Sequence, residues 1–321
     1  MRKEISRKNF LKMSIAGLAG LLLGSRLFKN TSDAAAAPAV PAVFNGRIKK
    51  GIKGDYDLVV AKGGDPYSLT VKAVDGLGGI SRFVKKNDVV LIKPNIGWDR
   101  SPEQAANTNP QVVAALIDLS FKAGAKRVNV FDIPCNEARR TYDNSGIQKI
   151  AKEKGANVYY ADEWNTVPLK LAYESPMEDW PILKDAIECD TFINVPILKH
   201  HSLAGLTISM KNLMGICGGD RGLIHNGIGR KLVDLTDFIN PELTVVDAYR
   251  VLLRHGPVGG DLNDVKRIDT IIAATDPVLA DAYAASLMGK DPMSVAGIKE
   301  AVARGFGSSD IGKAKILEVK A

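Results

Sequence analysis

The residues best suited to chemistry in this sequence follow directly after an apolar run. The run NVPIL leads into Lys199, His200 and His201, and Lys211 with Asn212 follows ten residues later. Histidine exchanges protons near neutral pH, and lysine is a compact cation that binds anions. The pattern therefore predicts an anion-binding or acid–base site at the end of a buried strand.

Polar side chains also follow the other predicted strands. Five predicted strands each lead into polar residues: 89–92 into Lys93-Pro94-Asn95, 128–131 into Asp132, 191–198 into Lys199-His200-His201, 243–246 into Asp247, and 270–275 into Asp276. Ligands of open α/β sheets bind beyond the carboxyl ends of the strands. We therefore expect Lys93 and the group at Lys199 to converge on one face. Asp276 is better explained as the cap of the following helix.

Short apolar runs alternate with longer amphipathic segments from residue 57 onward. One of these segments, NPQVVAALIDLSFKAG, is typical of a helix with Asn109 as its cap, Pro110 at its first position and Gly124 just past its end. Strands alternating with helices predict an α/β fold, with a doubly wound, mostly parallel sheet flanked by helices. Residues 160–190 break the alternation with two tryptophans and several prolines, which predicts an inserted hairpin or lid.

The segment after the histidine pair has the spacing of a helix. Residues 203–214 place two methionines and three leucines on one face, with Ser202 as the cap and Gly215 past the end. In this helix Thr207 and Lys211 would lie one turn apart. The glycine-rich stretch that follows, GICGGDRGLIHNGIGRK, carries Arg221, His225 and Arg230. Its free backbone N–H groups are suited to a phosphate or carboxylate, although no nucleotide-binding fingerprint is present.

The first 36 residues resemble an export signal. Two basic residues, Arg7 and Lys8, precede Phe-Leu-Lys, a short apolar stretch and alanines suited to cleavage, as in a twin-arginine signal with one arginine replaced by lysine. We expect export to the periplasm or cell envelope. Membrane attachment is expected only if this signal stays uncleaved. Residues 37–56 read as a linker, and residues 57–321 as a single α/β domain.

Charge and cysteine content exclude several functions. Residues 1–36 contain seven basic and two acidic side chains, so most of the net charge of +7 lies in the signal and the rest is nearly neutral. A nearly neutral net charge over the remaining residues, with no cluster of basic residues, argues against nucleic-acid binding. The three cysteines, at 135, 189 and 217, form no CxxC pair, so neither a four-cysteine iron–sulfur cluster nor a structural zinc site is expected. Cys135 and Cys189 are expected to be buried, small apolar residues.

Ten stretches in order carry a resemblance to a known family. They are LIKPNIGW, NTNPQVVAALIDL, GAKRVNVFD, SGIQKIAKEKG, FINVPILKHH, LTISMKNLMGICGGDR, LIHNG, PELTVVDAYR, GPVGGDL and DPVLADAYAASLMG. With them the chain resembles domain-of-unknown-function family 362, from LIKPN to near its end. The resemblance implies a polar signature at Lys93, Asn95, Lys199, His201, Thr207, Lys211, Asn212, Arg221, His225, Asp247, Asp276 and Asp281. Because the family pattern often has threonine at position 200, it favours His201 over His200.

The same resemblance bears on cofactors. Some relatives carry ferredoxin-type cysteine motifs and are described as iron–sulfur proteins, but this chain lacks those cysteines. An iron–sulfur cluster is therefore not expected here. A divalent metal is the remaining candidate, since His201 and His225 with one aspartate would make a three-ligand site with an open position. We therefore expect His225 and Asp247 to be metal ligands.

Two functions remain open at this stage. In the first, an enzyme acts on an anionic small molecule, with His201, Lys211 and Lys93 as catalytic residues and His201 as the general acid–base. The substrate-binding residues would be Asn95, Lys199, Thr207, Asn212 and Arg221. In the second, a non-catalytic protein binds a solute or cofactor, or serves an exported redox system. Identification of a natively bound ligand would separate the two; the sequence specifies neither a substrate nor an oligomeric state.

Overall fold

A ten-stranded sheet runs through the centre of the molecule. The structure is a computed structural model that describes residues 44–49, 54–162 and 164–320. The sheet contains β1 (Leu58–Lys62), β2 (Val89–Pro94), β3 (Arg127–Val130), β4 (Asn157–Val158), β7 (Thr191–Val195), β8 (Ile197–His201), β9 (Gly205–Thr207), β10 (Leu243–Leu252), β11 (Val265–Ala274) and β12 (Ile316–Lys320). A separate two-stranded sheet pairs β5 (Thr166–Pro168) with β6 (Pro181–Leu183).

The strand order is β12-β1-β11-β10-β7-β2-β3-β4. Strand β11 runs antiparallel to both of its neighbours, whereas the other neighbouring pairs along this path are parallel. Strand β8 continues from β7 beyond Pro196, pairs in parallel with β10 and forms an antiparallel hairpin with β9. The predicted α/β class with a mostly parallel sheet is confirmed.

Helices cover both faces of the sheet. They are α1 (Pro66–Gly76), α2 (Pro110–Lys122), α3 (Ala138–Asn144), α4 (Ile147–Glu153), α5 (Lys184–Glu188), α6 (Ser209–Asn212), α7 (Ile228–Ile239), α8 (Pro277–Leu287) and α9 (Ala296–Ala303). Adjacent residues of β1, Val59 and Val60, are fully buried and belong to different hydrophobic clusters. A parallel sheet covered on both faces needs strands that are apolar on both sides, which explains runs such as LVVA.

Two predicted helix starts are confirmed in detail. Asn109 accepts a hydrogen bond from the backbone N–H of Gln111 at 3.0 Å, and α2 begins at Pro110. Asp276 accepts one from the N–H of Val278 at 2.8 Å and caps α8. Each cap provides an acceptor for an otherwise unpaired N–H group of the first turn.

The segment that breaks the alternation forms the predicted hairpin. Strands β5 and β6 pair antiparallel, with Thr166 opposite Leu183, and α5 follows directly. The predicted signal peptide lies outside the described residues. Part of the predicted linker, residues 44–49, packs on the domain instead: Arg47 is buried and forms an ion pair of 2.8 Å with Glu242. None of the described helices has the length and apolar character needed to cross a membrane.

Candidate functional site

The predicted helix over 203–214 is only partly correct, because residues 203–207 belong to a hairpin and helical structure begins at Ser209. Lys199, His200 and His201 lie within β8, and β9 returns alongside it with Thr207 opposite Lys199. Gly205 has a φ of 75°, which suits the turn between the strands. Pairing with β10 extends the chain here, and such long-range pairing overrides a local helical pattern. The helix itself, α6, contains only Ser209–Asn212.

Asp281 of α8 fixes the start of α6. Its carboxylate accepts the backbone N–H of Ser209 at 2.7 Å and that of Met210 at 3.2 Å. Burial raises the pKa of Asp281 to about 7. A carboxylate at a helix N-terminus satisfies unpaired donors, so Asp281 positions the two residues that follow, Lys211 and Asn212.

Lys93, Asp132 and Asn212 form what we call the inner cluster. Lys93 is fully buried, and its Nζ lies 2.7 Å from Asp132 Oδ1 and 3.3 Å from Asn212 Oδ1. Asp132 also accepts the backbone N–H of Ile96 at 2.7 Å. Burial lowers the pKa of Lys93, and the charge of Asp132 opposes that shift. This ammonium is therefore paired and hydrogen-bonded, as a buried charge must be.

Gly215 makes room for this ion pair. A Cβ on Gly215 would lie 1.7 Å from Asp132 Oδ1 and 2.7 Å from Lys93 Nζ. Its carbonyl oxygen accepts the N–H of Ile133 at 3.0 Å, beside Asp132. Glycine is required here for close approach of the backbone.

Amide side chains connect the inner cluster to Lys199. Asn212 Oδ1 accepts from Asn95 Nδ2 at 3.0 Å, and Asn95 Oδ1 accepts from Lys199 Nζ at 3.0 Å. Asn212 Nδ2 donates in turn to Asn194 Oδ1 at 2.9 Å. The structure thus brings Lys93 and Lys199 together, as the strand-end pattern predicts, with Asn95 and Asn212 connecting them.

Lys199 differs from Lys93 in its partners. Only 1% of it is exposed, and its ammonium donates to two carbonyl oxygens, those of the Asn95 side chain and the Ala106 backbone. Among the described residues, no carboxylate forms an ion pair with it. Burial lowers the pKa of Lys199 to about 7, and the charge of Lys211 contributes to the lowering. This amine therefore titrates near neutral pH.

Lys211, His201 and His225 form what we call the outer cluster. Lys211 Nζ lies 3.2 Å from His225 Nε2 and 3.4 Å from the sulfur of Met214. Burial lowers the pKa of Lys211 to about 8, and the nearby charge of Arg221 lowers it further. A thioether and a neutral imidazole are weak partners for an ammonium, so this charge is poorly compensated.

Hydrogen bonds assign the tautomers of the two histidines. His201 Nδ1 accepts the backbone N–H groups of Leu203 and Ala204, both at 3.2 Å, which leaves the proton on Nε2. His225 Nδ1 lies 3.2 Å from the carbonyl oxygen of Gly222, so it carries the proton and Nε2 faces Lys211. The two rings stack with centroids 5.4 Å apart.

The expected role of His201 as an acid–base group near neutral pH needs correction. Burial lowers its pKa to about 3, and the charge of Lys211 adds to the shift. Burial and Lys211 also lower the pKa of His225. Both rings are neutral at pH 7, and His201 offers an Nε2–H donor. Among the basic side chains of the site, Lys199 and Lys211 have the pKa values near neutrality, which residue type alone does not reveal.

Arg221 and Cys135 complete the surroundings of the lysines. Arg221 donates to the carbonyl oxygens of Ile133 and Pro134 at 2.8 and 2.9 Å, which fixes the loop that carries Cys135. Cys135 is exposed, so its expected burial is wrong, whereas Cys189 is buried as expected. The negative charge of a Cys135 thiolate raises the pKa of both Lys199 and Lys211. The sequence signal that could have placed Cys135 at the site is its position three residues after Asp132, just past the end of β3.

The expected metal ligands have separate partners. Asp247 lies in the middle of β10, and its carboxylate accepts the backbone N–H groups of Asn109 at 2.8 Å and Tyr249 at 3.0 Å. Burial raises the pKa of Asp247 to about 6. Both ring nitrogens of His225 already have partners. Within the part of the chain that the structure describes, no group of three His, Cys, Asp or Glu residues could hold a metal ion.

Comparison with known families decides the membership of the chain. The model of the "Domain of unknown function (DUF362)" matches residues 90–286, more than half of the sequence. The protein belongs to the DUF362 family. The matched region of this DUF362 protein includes every residue of the inner and outer clusters. The family description names no reaction.

Individual proteins are similar to this chain in sequence or in structure. Over 238 residues, the chain is 29% identical to the "Thylakoid-associated protein sll1697" of Synechocystis sp., covering 69% of this chain and 70% of the relative. The lactate racemase apoprotein of Thermoanaerobacterium thermosaccharolyticum aligns with a TM-score of 0.42 and 12% identity, covering 71% of this chain and 56% of its own. A protein of Thermotoga maritima aligns with a TM-score of 0.42 and 13% identity, covering 70% and 58%.

Proposed function

We propose that this DUF362 protein is an enzyme that binds an anionic small molecule beside Lys199 and Lys211 and transfers protons with these lysines. The observation that carries the proposal is the clustering of two buried or half-buried lysines for which the described residues supply no carboxylate partner. An anionic ligand would supply the missing charge.

Electrostatics favours an anion at this position. Removing a charge from water is unfavourable unless it is paired, and a second cation nearby increases the penalty. Burial and the charge of Lys211 lower the pKa of Lys199 to about 7, and burial and the charge of Arg221 lower the pKa of Lys211 to about 8. A bound carboxylate or phosphate would raise both pKa values, and that coupling is a favourable contribution to binding.

The residues divide into three roles. Lys211 contacts the anion, and Lys199, which is 1% exposed, attracts it through its charge. The pKa values of both lysines near the working pH suit them to proton exchange when the anion binds. The Nε2–H of His201 and the Arg221 guanidinium are further donors for an anion. Lys93, Asn95 and Asn212 form the support for Lys199, because their hydrogen bonds fix its ammonium.

The pH dependence of affinity tests this assignment. Below pH 7 both lysines carry a proton, so affinity for citrate or phosphate should be highest there. As pH rises through about 7 and about 8, binding must take up the lost protons, and affinity should fall about tenfold per pH unit for each proton. Isothermal titration from pH 6 to 9 measures this profile.

Two variants provide the controls. Lys211→Gln removes one of the two cations and should weaken binding about tenfold or more at pH 6.5. Lys299→Gln removes an exposed lysine of α9 and should leave affinity unchanged. Equal affinities for both variants, or an affinity that does not change between pH 6 and 9, would contradict the proposal.

A non-catalytic binding protein is the second candidate. It is favoured by the depressed pKa of His201, because the one residue expected to act as the acid–base group stays neutral at pH 7. Native purification followed by mass spectrometry of the released ligand separates the two. An enzyme converts added ligand, whereas a binding protein returns it unchanged after prolonged incubation.

A further inference from the structure

We propose that the Nζ of Lys211 is a nucleophile that forms an imine with a carbonyl group of the ligand. The ligand would then be a small oxo acid, which carries an aldehyde or ketone in addition to its anionic group. This inference rests on the proposed function, because the anionic group is what holds the carbonyl beside Lys211.

Access distinguishes Lys211 from the other two lysines of the site. Lys93 is fully buried and Lys199 is 1% exposed, so a carbonyl carbon cannot reach either ammonium without rearrangement. Lys211 is only partly buried. Lys93 is also bound to Asp132, which holds its proton in place. Of the three lysines, Lys211 is therefore the one that a ligand reaches.

The partners of Lys211 suit an amine that must lose a proton. Its Nζ lies 3.2 Å from His225 Nε2, and the Nδ1 of His225 is bound to the carbonyl oxygen of Gly222. His225 Nε2 is thus an available proton acceptor within hydrogen-bond distance. Burial and the charge of Arg221 keep a fraction of the amine unprotonated at neutral pH, as in other nucleophilic lysines.

The surroundings also suit the rest of the ligand. Arg221 is a cation that acts electrostatically on Lys211, so a carboxylate held by Arg221 would place an adjacent carbonyl near Nζ. The Nε2–H of His201, whose ring stacks on His225, is a donor for the carbonyl oxygen.

The step balances without a further reactant. The amine lone pair attacks the carbonyl carbon, a C–N bond forms, and the proton lost by nitrogen passes through His225 Nε2 to the former carbonyl oxygen. The resulting hydroxyl takes up one more proton from solvent and leaves as water, while the nitrogen lone pair forms the C=N bond. The sum is amine plus carbonyl plus proton giving iminium plus water, with no change in oxidation state.

Reductive trapping tests the inference. The full-length protein is incubated with pyruvate, glyoxylate or 2-oxoglutarate and sodium cyanoborohydride, and the adduct is located by intact mass and peptide mapping. We expect one adduct, on Lys211, formed about a hundredfold faster than on any surface lysine such as Lys299. His225→Gln should slow trapping about a hundredfold at equal occupancy of the site.

Lys211→Arg separates this inference from the proposed function. It keeps a positive charge but has no amine that can form an imine, so it should give no adduct. Isothermal titration of the wild type with citrate reports on the proposed function independently. If citrate binds the wild type and no oxo acid is trapped on Lys211, or if trapping occurs on Lys199, the imine is disproved and the proposed function stands. If citrate and phosphate fail to bind at all, the proposed function fails, and this inference fails with it.

Discussion

The inner and outer clusters lie at the same edge of the sheet but compensate their lysines differently. In the inner cluster, Lys93 is buried against Asp132 at 2.7 Å and bonded to Asn212. In the outer cluster, Lys211 has a sulfur and a neutral imidazole as its partners. Each ammonium is partly or wholly removed from water, but only one has an opposite charge beside it.

The difference indicates what each cluster is for. A buried ion pair whose atoms are all hydrogen-bonded is complete and has no use for a ligand. A desolvated cation without a counter-ion is unfavourable in the free protein, and such strain is characteristic of functional sites. We therefore propose that the inner cluster supports the site and that the outer cluster binds the ligand. Substitutions that treat both lysines alike should therefore have opposite effects on stability.

The largest effect is expected from Lys93→Met. The substitution leaves the buried carboxylate of Asp132 without its cation, which should lower the free energy of unfolding by about 3–5 kcal/mol. Urea unfolding at pH 7 measures the loss. The double variant Lys93→Met/Asp132→Asn also removes the unpaired carboxylate charge and should regain at least half of the lost free energy of unfolding. A single-variant loss below about 1 kcal/mol would show that the ion pair is dispensable.

A smaller effect is expected from Gly215→Ala, which tests the space around the same ion pair. The added Cβ would overlap Asp132 Oδ1, at 1.7 Å, so the loop or the pair must move. Overpacking of this kind costs about 1–3 kcal/mol. The control is Gly312→Ala, where a Cβ would lie 3.5 Å from Asp310 Oδ1, an ordinary contact. Equal stability of the two variants would mean that the inner cluster tolerates displacement.

Much of the framework follows from local sequence signals. The caps at Asn109 and Asp276, and the convergence of Lys93 with Lys199, depend on residue types at strand and helix ends, where local chemistry is decisive. The sequence pattern predicts that a strand ends just before Asp247, whereas β10 continues to Leu252. Its carboxylate instead binds the backbone of Asn109 and Tyr249, a long-range arrangement that no local pattern shows.

The electrostatics of the site could not be derived from the sequence. The hairpin of β8 and β9 replaces the first part of the expected helix because β8 pairs with β10, some 50 residues away in the chain. Burial by that hairpin, together with the charge of Lys211, moves the pKa of His201 away from neutrality. Whether a lysine is paired, as Lys93 is, or unpaired, as Lys211 is, depends on the same tertiary contacts.

The smallest effect, and the one of opposite sign, is expected from Lys211→Met. Because the pKa of Lys211 is about 8 in the folded state against an ordinary 10.5, the charged form is disfavoured by folding. Removing it should raise the free energy of unfolding by about 1 kcal/mol below pH 8, and the gain should vanish as pH rises through 8 to 10.5. Urea unfolding at pH 6.5 and pH 10 measures both values, with Lys299→Met as the exposed control.

Lys211→Met should also lose citrate binding, since stability and function conflict at an uncompensated charge. Destabilisation at pH 6.5 would mean that Lys211 is a structural residue like Lys93.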